Sequence, residues 1–178
     1  MKRNSFLKLF LASCAINFSP QIMFSKNKKN FTGQEKGFKV KAGEGRIHGH
    51  IKLKGVNANI LDLKISGSDT DGGMAIFEQT SVSQGRGTPL HVHHFQNEVF
   101  YVLEGEYLYK AGEDSFTLTA GDSIFLPMKL PHAWTQKSAL GKITVIFEPA
   151  GKMEDFFVTL SAMDHEPSKE EMTKIFEK

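Results

Sequence analysis

A train of short alternating runs, cut by turn residues, limits this chain to few folds. In the run from Arg46 to Lys54, Ile47, Gly49, Ile51 and Leu53 share one face, while His48, His50, Lys52 and Lys54 share the other. A period of two is what a half-buried strand requires. Further runs lie at Asn59 to Ser66, Ala75 to Val82, Glu98 to Leu103, Glu106 to Lys110, Ser115 to Thr119, Ser123 to Leu126, Ala133 to Lys137 and Lys142 to Glu148. Ser68-Asp69-Thr70-Asp71-Gly72-Gly73 and Gln84-Gly85-Arg86-Gly87 are turns, and Glu104-Gly105 reads as a tight connection between two strands. Such strands cannot bury a face singly, so the pattern predicts an all-β sandwich or barrel. The 15 Phe and 16 Gly among 178 residues agree, since aromatics fit a pleated surface and glycine interrupts it. That length suits one domain with one core.

The two ends differ from this middle. Met1-Lys2-Arg3 is basic, Leu9 to Phe18 is apolar, and Ser19-Pro20 follows. This order predicts a signal or targeting segment over residues 1–25 and places the mature protein outside the cytoplasm, in the periplasm or cell envelope. The apolar run is too short for a membrane span. Arg3-Asn4-Ser5-Phe6-Leu7-Lys8 is similar to a twin-arginine export motif with Asn4 in place of the second arginine. Leu11-Ala12-Ser13-Cys14 resembles a lipobox, which would make Cys14 a lipid anchor. Residues 26–42 form a polar, Lys-rich leader, and residues 43–150 form the barrel. In the extension over 151–178, Met153, Phe156, Phe157 and Leu160 fit a helical period, as do Met172, Ile175 and Phe176. Ser168 and Glu171 have the spacing of a capping box at the second helix.

The chemistry concentrates between Gly85 and His132. His91 and His93 stand two apart, which on a strand puts both imidazoles on one face. A short turn follows, Glu98 opens the next strand, and His132 arrives later behind Leu130-Pro131. Three imidazoles and a carboxylate suit one divalent transition ion, whether Fe, Mn, Ni, Cu, Co or Zn. Four protein ligands leave one or two coordination positions open, as catalysis requires. The single cysteine, Cys14, excludes both an intrachain disulfide and a thiolate-rich zinc site. A net charge of +2, with little clustering beyond Lys26-Asn27-Lys28-Lys29, argues against a nucleic-acid partner.

These residues resemble the cupin superfamily. Gly85, His91, His93, Glu98 and Gly105 fill every fixed position of its first motif, G-x5-H-x-H-x4-E-x6-G. Gly121, Pro127 and His132 match the second motif, G-x5-P-x-G-x2-H-x3-N, but Lys129 stands where that motif has Gly and Gln136 where it has Asn. The resemblance covers roughly residues 40–150. It implies a double-stranded β-helix, or jelly-roll barrel, with His91, His93, Glu98 and His132 as metal ligands. A finer similarity, carried by Ser66 to Gly73, Phe77-Glu78-Gln79, Thr88 to His94 and Glu98 to Glu106, is to single-domain cupins of the quercetin 2,3-dioxygenase-like kind. Those enzymes bind a flavonol and dioxygen at the metal and cleave the ring with release of carbon monoxide. The similarity implies that Glu98 is also the base that deprotonates a substrate hydroxyl.

Phe100 and Val102 share the parity of Glu98, Trp134 and Gln136 that of His132, and Phe125 lies near the mouth with Phe95 and Met128. These side chains are either barrel core or the walls of an apolar pocket for a small, flat aromatic ligand. His94 should face away from His93. The histidines of His48-Gly49-His50 should face solvent, with no nearby carboxylate to complete a site. Three functions stay open: a dioxygenase for an aromatic or enolic small molecule, a non-redox cupin isomerase or epimerase, and a barrel that binds a ligand without turnover. A homodimer is compatible with each.

Overall fold

The computed structural model describes residues 33, 34, 36–53 and 59–176. The expected targeting segment, Cys14 and most of the leader lie outside the described residues. No described helix is long and apolar enough to cross a membrane.

Ten strands are described: β1 (His50–Lys52), β2 (Asn59–Ile65), β3 (Ala75–Ser81), β4 (Gly87–His91), β5 (Asn97–Glu104), β6 (Glu106–Ala111), β7 (Asp114–Thr119), β8 (Ser123–Leu126), β9 (His132–Gln136) and β10 (Gly141–Glu148). They form a six-stranded sheet in the order β1-β2-β3-β10-β5-β8 and a four-stranded sheet in the order β4-β9-β6-β7. Every pairing is antiparallel. From β3 onward the chain passes repeatedly between sheets, with only β6 and β7 joined as a hairpin within one. This is the jelly-roll architecture.

Alternation decides what is buried. β3 and β10 bury every second residue, namely Ala75, Phe77, Gln79 and Ser81 on one and Gly141, Ile143, Val145 and Phe147 on the other. Burying a Phe or Ile side chain contributes roughly 1.5–3 kcal/mol. The registry of such positions across both sheets is therefore what holds the barrel closed. Glu104-Gly105-Glu106 is tight, as expected, but it carries the chain from one sheet to the other, because β5 and β6 do not pair. Gly105 has φ 91°, and a Cβ there would lie 2.5 Å from the Leu140 carbonyl oxygen. A side chain at this corner would be both strained and obstructed.

The run from Arg46 to Lys54 departs from expectation. Its strand is confined to His50–Lys52, because Ile47 and Gly49 take left-handed backbone angles, φ 64° and 62°. Ile47 is 62 % exposed, and Ile51 is the buried residue of its expected face. Arg46 instead pairs through both guanidinium nitrogens with Asp69 and lies 3.8 Å from the Phe38 ring centroid.

Beyond the barrel, α1 (Met153–Ala162) buries Met153, Phe156 and Leu160. Its Phe157 stands edge-on to Phe77, 5.1 Å between centroids. The second helix, α2 (Lys169–Phe176), starts with a formed capping box: Glu171 N–H donates to Ser168 Oγ at 3.2 Å, and Ser168 N–H donates to Glu171 Oε2 at 2.8 Å. Met172 and Ile175 pack against the core.

Candidate metal centre

His91 ends β4, Glu98 lies near the start of β5 and His132 opens β9. Pairing of β4 with β9 sets His91 opposite His132. His93 lies past the end of β4 rather than on the same strand as His91, and the loop turns it inward, where it is buried. That loop is held by the Lys129 N–H, which donates to the His93 carbonyl at 2.7 Å, and by the Met128 N–H, which donates to Asn97 Oδ1 at 3.1 Å. His91, His93, Glu98 and His132 thus each offer one ligand atom, all within 4.8 Å of one another.

Lys129 stands where the second cupin motif has glycine, yet it keeps the conformation that glycine permits, with φ 68°. A left-handed angle costs an L-residue roughly 1–2 kcal/mol, and glycine gives back part of that through chain entropy. Lys129→Gly therefore raises stability by about 0.5–1 kcal/mol. Thermal denaturation checks this, and a lower midpoint would show that the lysine side chain makes a compensating contact.

Orientation within the cluster is set by backbone carbonyls. His91 Nδ1–H donates to the Pro89 carbonyl and His132 Nδ1–H to the Leu130 carbonyl, both at 2.9 Å. Each thereby turns its Nε2 toward the cluster, and a carbonyl behind the ring is what orients metal-bound imidazoles. Glu98 Oε2 lies 2.9 Å from His132 Nε2 and 3.5 Å from His93 Nε2. The ring centroids of His91 and His132 are 4.2 Å apart. Three imidazoles aimed at one carboxylate in a buried setting are costly unless a shared cation neutralises and organises them. The donor set therefore fits a divalent transition ion.

The protonation states agree. Burial, reinforced by the neighbouring imidazoles, pushes His91 and His93 down to about 4, so both are neutral donors at pH 7. Burial raises the Glu98 carboxyl above the usual range. At His132 burial opposes the charge, but the hydrogen bonds to Glu98 and the Leu130 carbonyl outweigh it and raise the pKa. In the unfolded chain His91 and His93 take up protons below about 6.5. In the metal-free fold they do so only near 4, so they withdraw stability as pH falls through that window. Glu98 and His132, both raised, act in the opposite direction and bind protons more readily folded than unfolded. Metal uptake near pH 7 should then expel about one proton per ion from the His132–Glu98 pair. Calorimetry in buffers of different ionisation enthalpy measures that number, and none released would contradict it.

The expected pocket residues fall in different places. Phe100 and Trp134 lie one inward position beyond Glu98 and His132, with ring centroids 6.5 Å apart, and both are buried. Val102 and Gln136 are fully buried and deeper, Gln136 four residues along β9 from His132, or about 13 Å. Phe125 is 59 % exposed and points outward, because Leu126, opposite Glu98, takes the inward position on β8. Phe95 and Met128 are exposed. Two neighbours are not expected from the sequence. Phe147 stands edge-on to His93 at 5.7 Å, and Tyr109 packs at 5.1 Å from Phe100 with a buried hydroxyl that has no partner. The inward parity of Tyr109 with Tyr107 is a usable signal, but its position beside the cluster depends on the register that sets Ala111 against His132. His94 is exposed, as its parity implies. His48 and His50, expected to lack carboxylates, do find them: Glu154 at 2.8 Å and Asp62 at 2.6 Å. Each forms a pair, and neither joins a metal-type cluster among the described residues.

Residues 79–147 match the family model for the cupin domain. An uncharacterized protein of Methanocaldococcus jannaschii is 39 % identical over 51 residues, which are 29 % of this chain and 41 % of that protein. The match thus spans about two fifths of that curated relative's length. Among solved structures, an RmlC-like cupin from Shewanella frigidimarina aligns with a TM-score of 0.54 at 20 % identity, over 68 % of this chain and 97 % of that one. KdgF from Halomonas sp. aligns with a TM-score of 0.49 at 14 % identity, over 54 % and 83 %. Residues 79–147 thus match the cupin domain, and the described barrel has the jelly-roll fold of the RmlC-like cupin.

Proposed function

We propose that this protein is an exported, metal-dependent oxidoreductase of dioxygenase type acting on a small aromatic or enolic molecule. The observation that carries the reading is the convergence of His91, His93, Glu98 and His132 on one point, with His91 and His132 held from behind by backbone carbonyls. A bound Fe, Mn, Ni, Cu or Co ion would supply the Lewis acidity and one-electron chemistry that the side chains lack. The residues supply the rest. Glu98, whose burial favours its protonated form, accepts the proton of an enolic hydroxyl at its carboxylate oxygen. In the absence of an ion His132 Nε2 lies 2.9 Å from Glu98 Oε2, and a bound ion would take both atoms as ligands instead. Phe147 and Phe100 keep water from the inner side.

Because Phe100 and Trp134 fill the barrel beneath the ligands, substrate reaches the centre from the mouth. The basic, then apolar, N-terminal sequence supports export to the periplasm or cell envelope, with Cys14 as a candidate lipid anchor. An oxygen electrode tests the activity on full-length protein loaded in turn with Fe(II), Mn, Co and Ni and offered flavonols and other enolic aromatics. Oxygen uptake dependent on both ion and substrate, and lost in Glu98→Gln, is expected. Tight ligand binding with no uptake for any ion would favour a binding protein instead.

A further inference from the structure

The barrel end remote from the metal cluster holds buried polar groups that the proposed function does not use. Asn59 and Ser81 face each other across β2 and β3, and Ser81 faces Gly141 across β3 and β10. Gln79 lies two residues before Ser81, and Tyr107 faces Gln136 across β6 and β9. All five polar side chains are at most 5 % exposed. The Gln136 Nε2 donates to the Ser138 carbonyl at 2.9 Å and the Ser81 carbonyl at 3.2 Å. Its Oε1 has no partner, and neither do Tyr107 Oη, Gln79 Nε2, Asn59 Oδ1 or Asn59 Nδ2. Turning the Gln136 amide over would break two good bonds, so an alternative rotamer does not remove the problem.

Strand pairing sets Asn59, Ser81 and Gly141 level at this end of the barrel, and Tyr107 and Gln136 meet there. A Cβ placed on Gly141 would meet Tyr107 Oη at 2.1 Å and Gln136 Cδ at 3.0 Å, so phenol and amide converge where the glycine lacks a side chain. The group also mixes functions: Gln79 offers a donor, Gln136 an acceptor, Asn59 both, and Tyr107 either. It carries no formal charge. Five unpaired polar atoms in one buried region are more than a native core tolerates, since each forfeits its hydration for nothing. An ion would gain little from neutral partners, whereas water can donate and accept at once.

We propose that this closed end of the barrel binds ordered internal water, which pairs Tyr107, Gln136, Gln79 and Asn59 and forms a neutral hydrated site separate from the metal centre. A buried water makes about three hydrogen bonds, so five open partners call for about two molecules. Gln136, expected from the sequence among pocket residues, then belongs to this site.

Tyr107→Phe reads the difference by sign. If water bonds the hydroxyl, the variant strands that water and the unfolding midpoint falls by about 2–4 °C. If the hydroxyl is bare, removing it relieves a burial cost and the midpoint rises, which would overturn the proposal. Water-to-protein cross-relaxation NMR on the unaltered full-length protein is the second arm. Long-lived water contacts to Tyr107 and the Gln79 and Gln136 side-chain amides are expected. Their absence, or a neutral organic molecule released on denaturation and seen by mass spectrometry, would also overturn it.

Discussion

Adding a divalent transition ion to the metal-free protein raises its unfolding midpoint, and Glu98→Ala or His132→Ala abolishes that rise. The four ligand atoms lie together only in the fold, so the ion binds the native state in preference to the unfolded chain. At a free ion concentration of about one hundred times the dissociation constant, the native state gains roughly 2.7 kcal/mol. For a domain of this size that is a shift of about 5–11 °C. Glu98 is the only anionic ligand, and its loss leaves three imidazoles facing a dication without charge compensation. His132 is tied to both Glu98 and the Leu130 carbonyl, so its removal also frees the carboxylate to turn away. A thermal scan with and without ion, for wild type and both variants, is the measurement. An equal rise in all three would show that the ion acts elsewhere.

The second large effect comes from a residue with no chemistry. Gly87 pairs with Thr135 at the start of β4, and an added Cβ would sit 1.7 Å from the Trp134 carbonyl oxygen and 2.7 Å from the Thr135 Cα. These are backbone atoms of β9 and cannot rotate aside. Gly87→Ala must push β4 away from β9, at a cost of about 1–3 kcal/mol of overpacking. The same strand pair sets His91 opposite His132, so metal affinity falls along with stability. Thr88→Ala, one position on, leaves the close approach at Gly87 intact and serves as the comparison. An unaltered ion affinity in a folded Gly87→Ala protein would mean that His91 is positioned from the loop side alone.

Much of this site is legible in the amino-acid sequence, for a physical reason. The spacing of His91, His93, Glu98 and His132 marks chemically matched residues, which the β4–β9 pairing and the loop after β4 bring together. Alternation likewise predicts the inward sides of β3, β5, β9 and β10. Registry is not legible in the same way. Closeness in sequence to His132 suggests a place near the mouth for Phe125. Strand pairing gives the inward position to Leu126 and turns Phe125 out. Gln136 shares the parity of His132 but sits too far along β9 to touch the same ligand. The His48–Glu154 pair joins residues 106 apart, a contact that no local pattern encodes. The run from Arg46 forms less strand than its alternation suggests, because Ile47 and Gly49 adopt left-handed angles.

The bound metal is the hinge on which the proposed chemistry turns. Full-length protein purified without added metal, and the same protein carrying His91→Ala or Glu98→Ala, should be analysed for metal by mass spectrometry after reconstitution and removal of free ion. The prediction is about one divalent transition ion per wild-type chain and little or none in either variant, as the four converging ligands require. A wild-type protein that retains no ion would contradict the central claim, and so would variants that retain it fully.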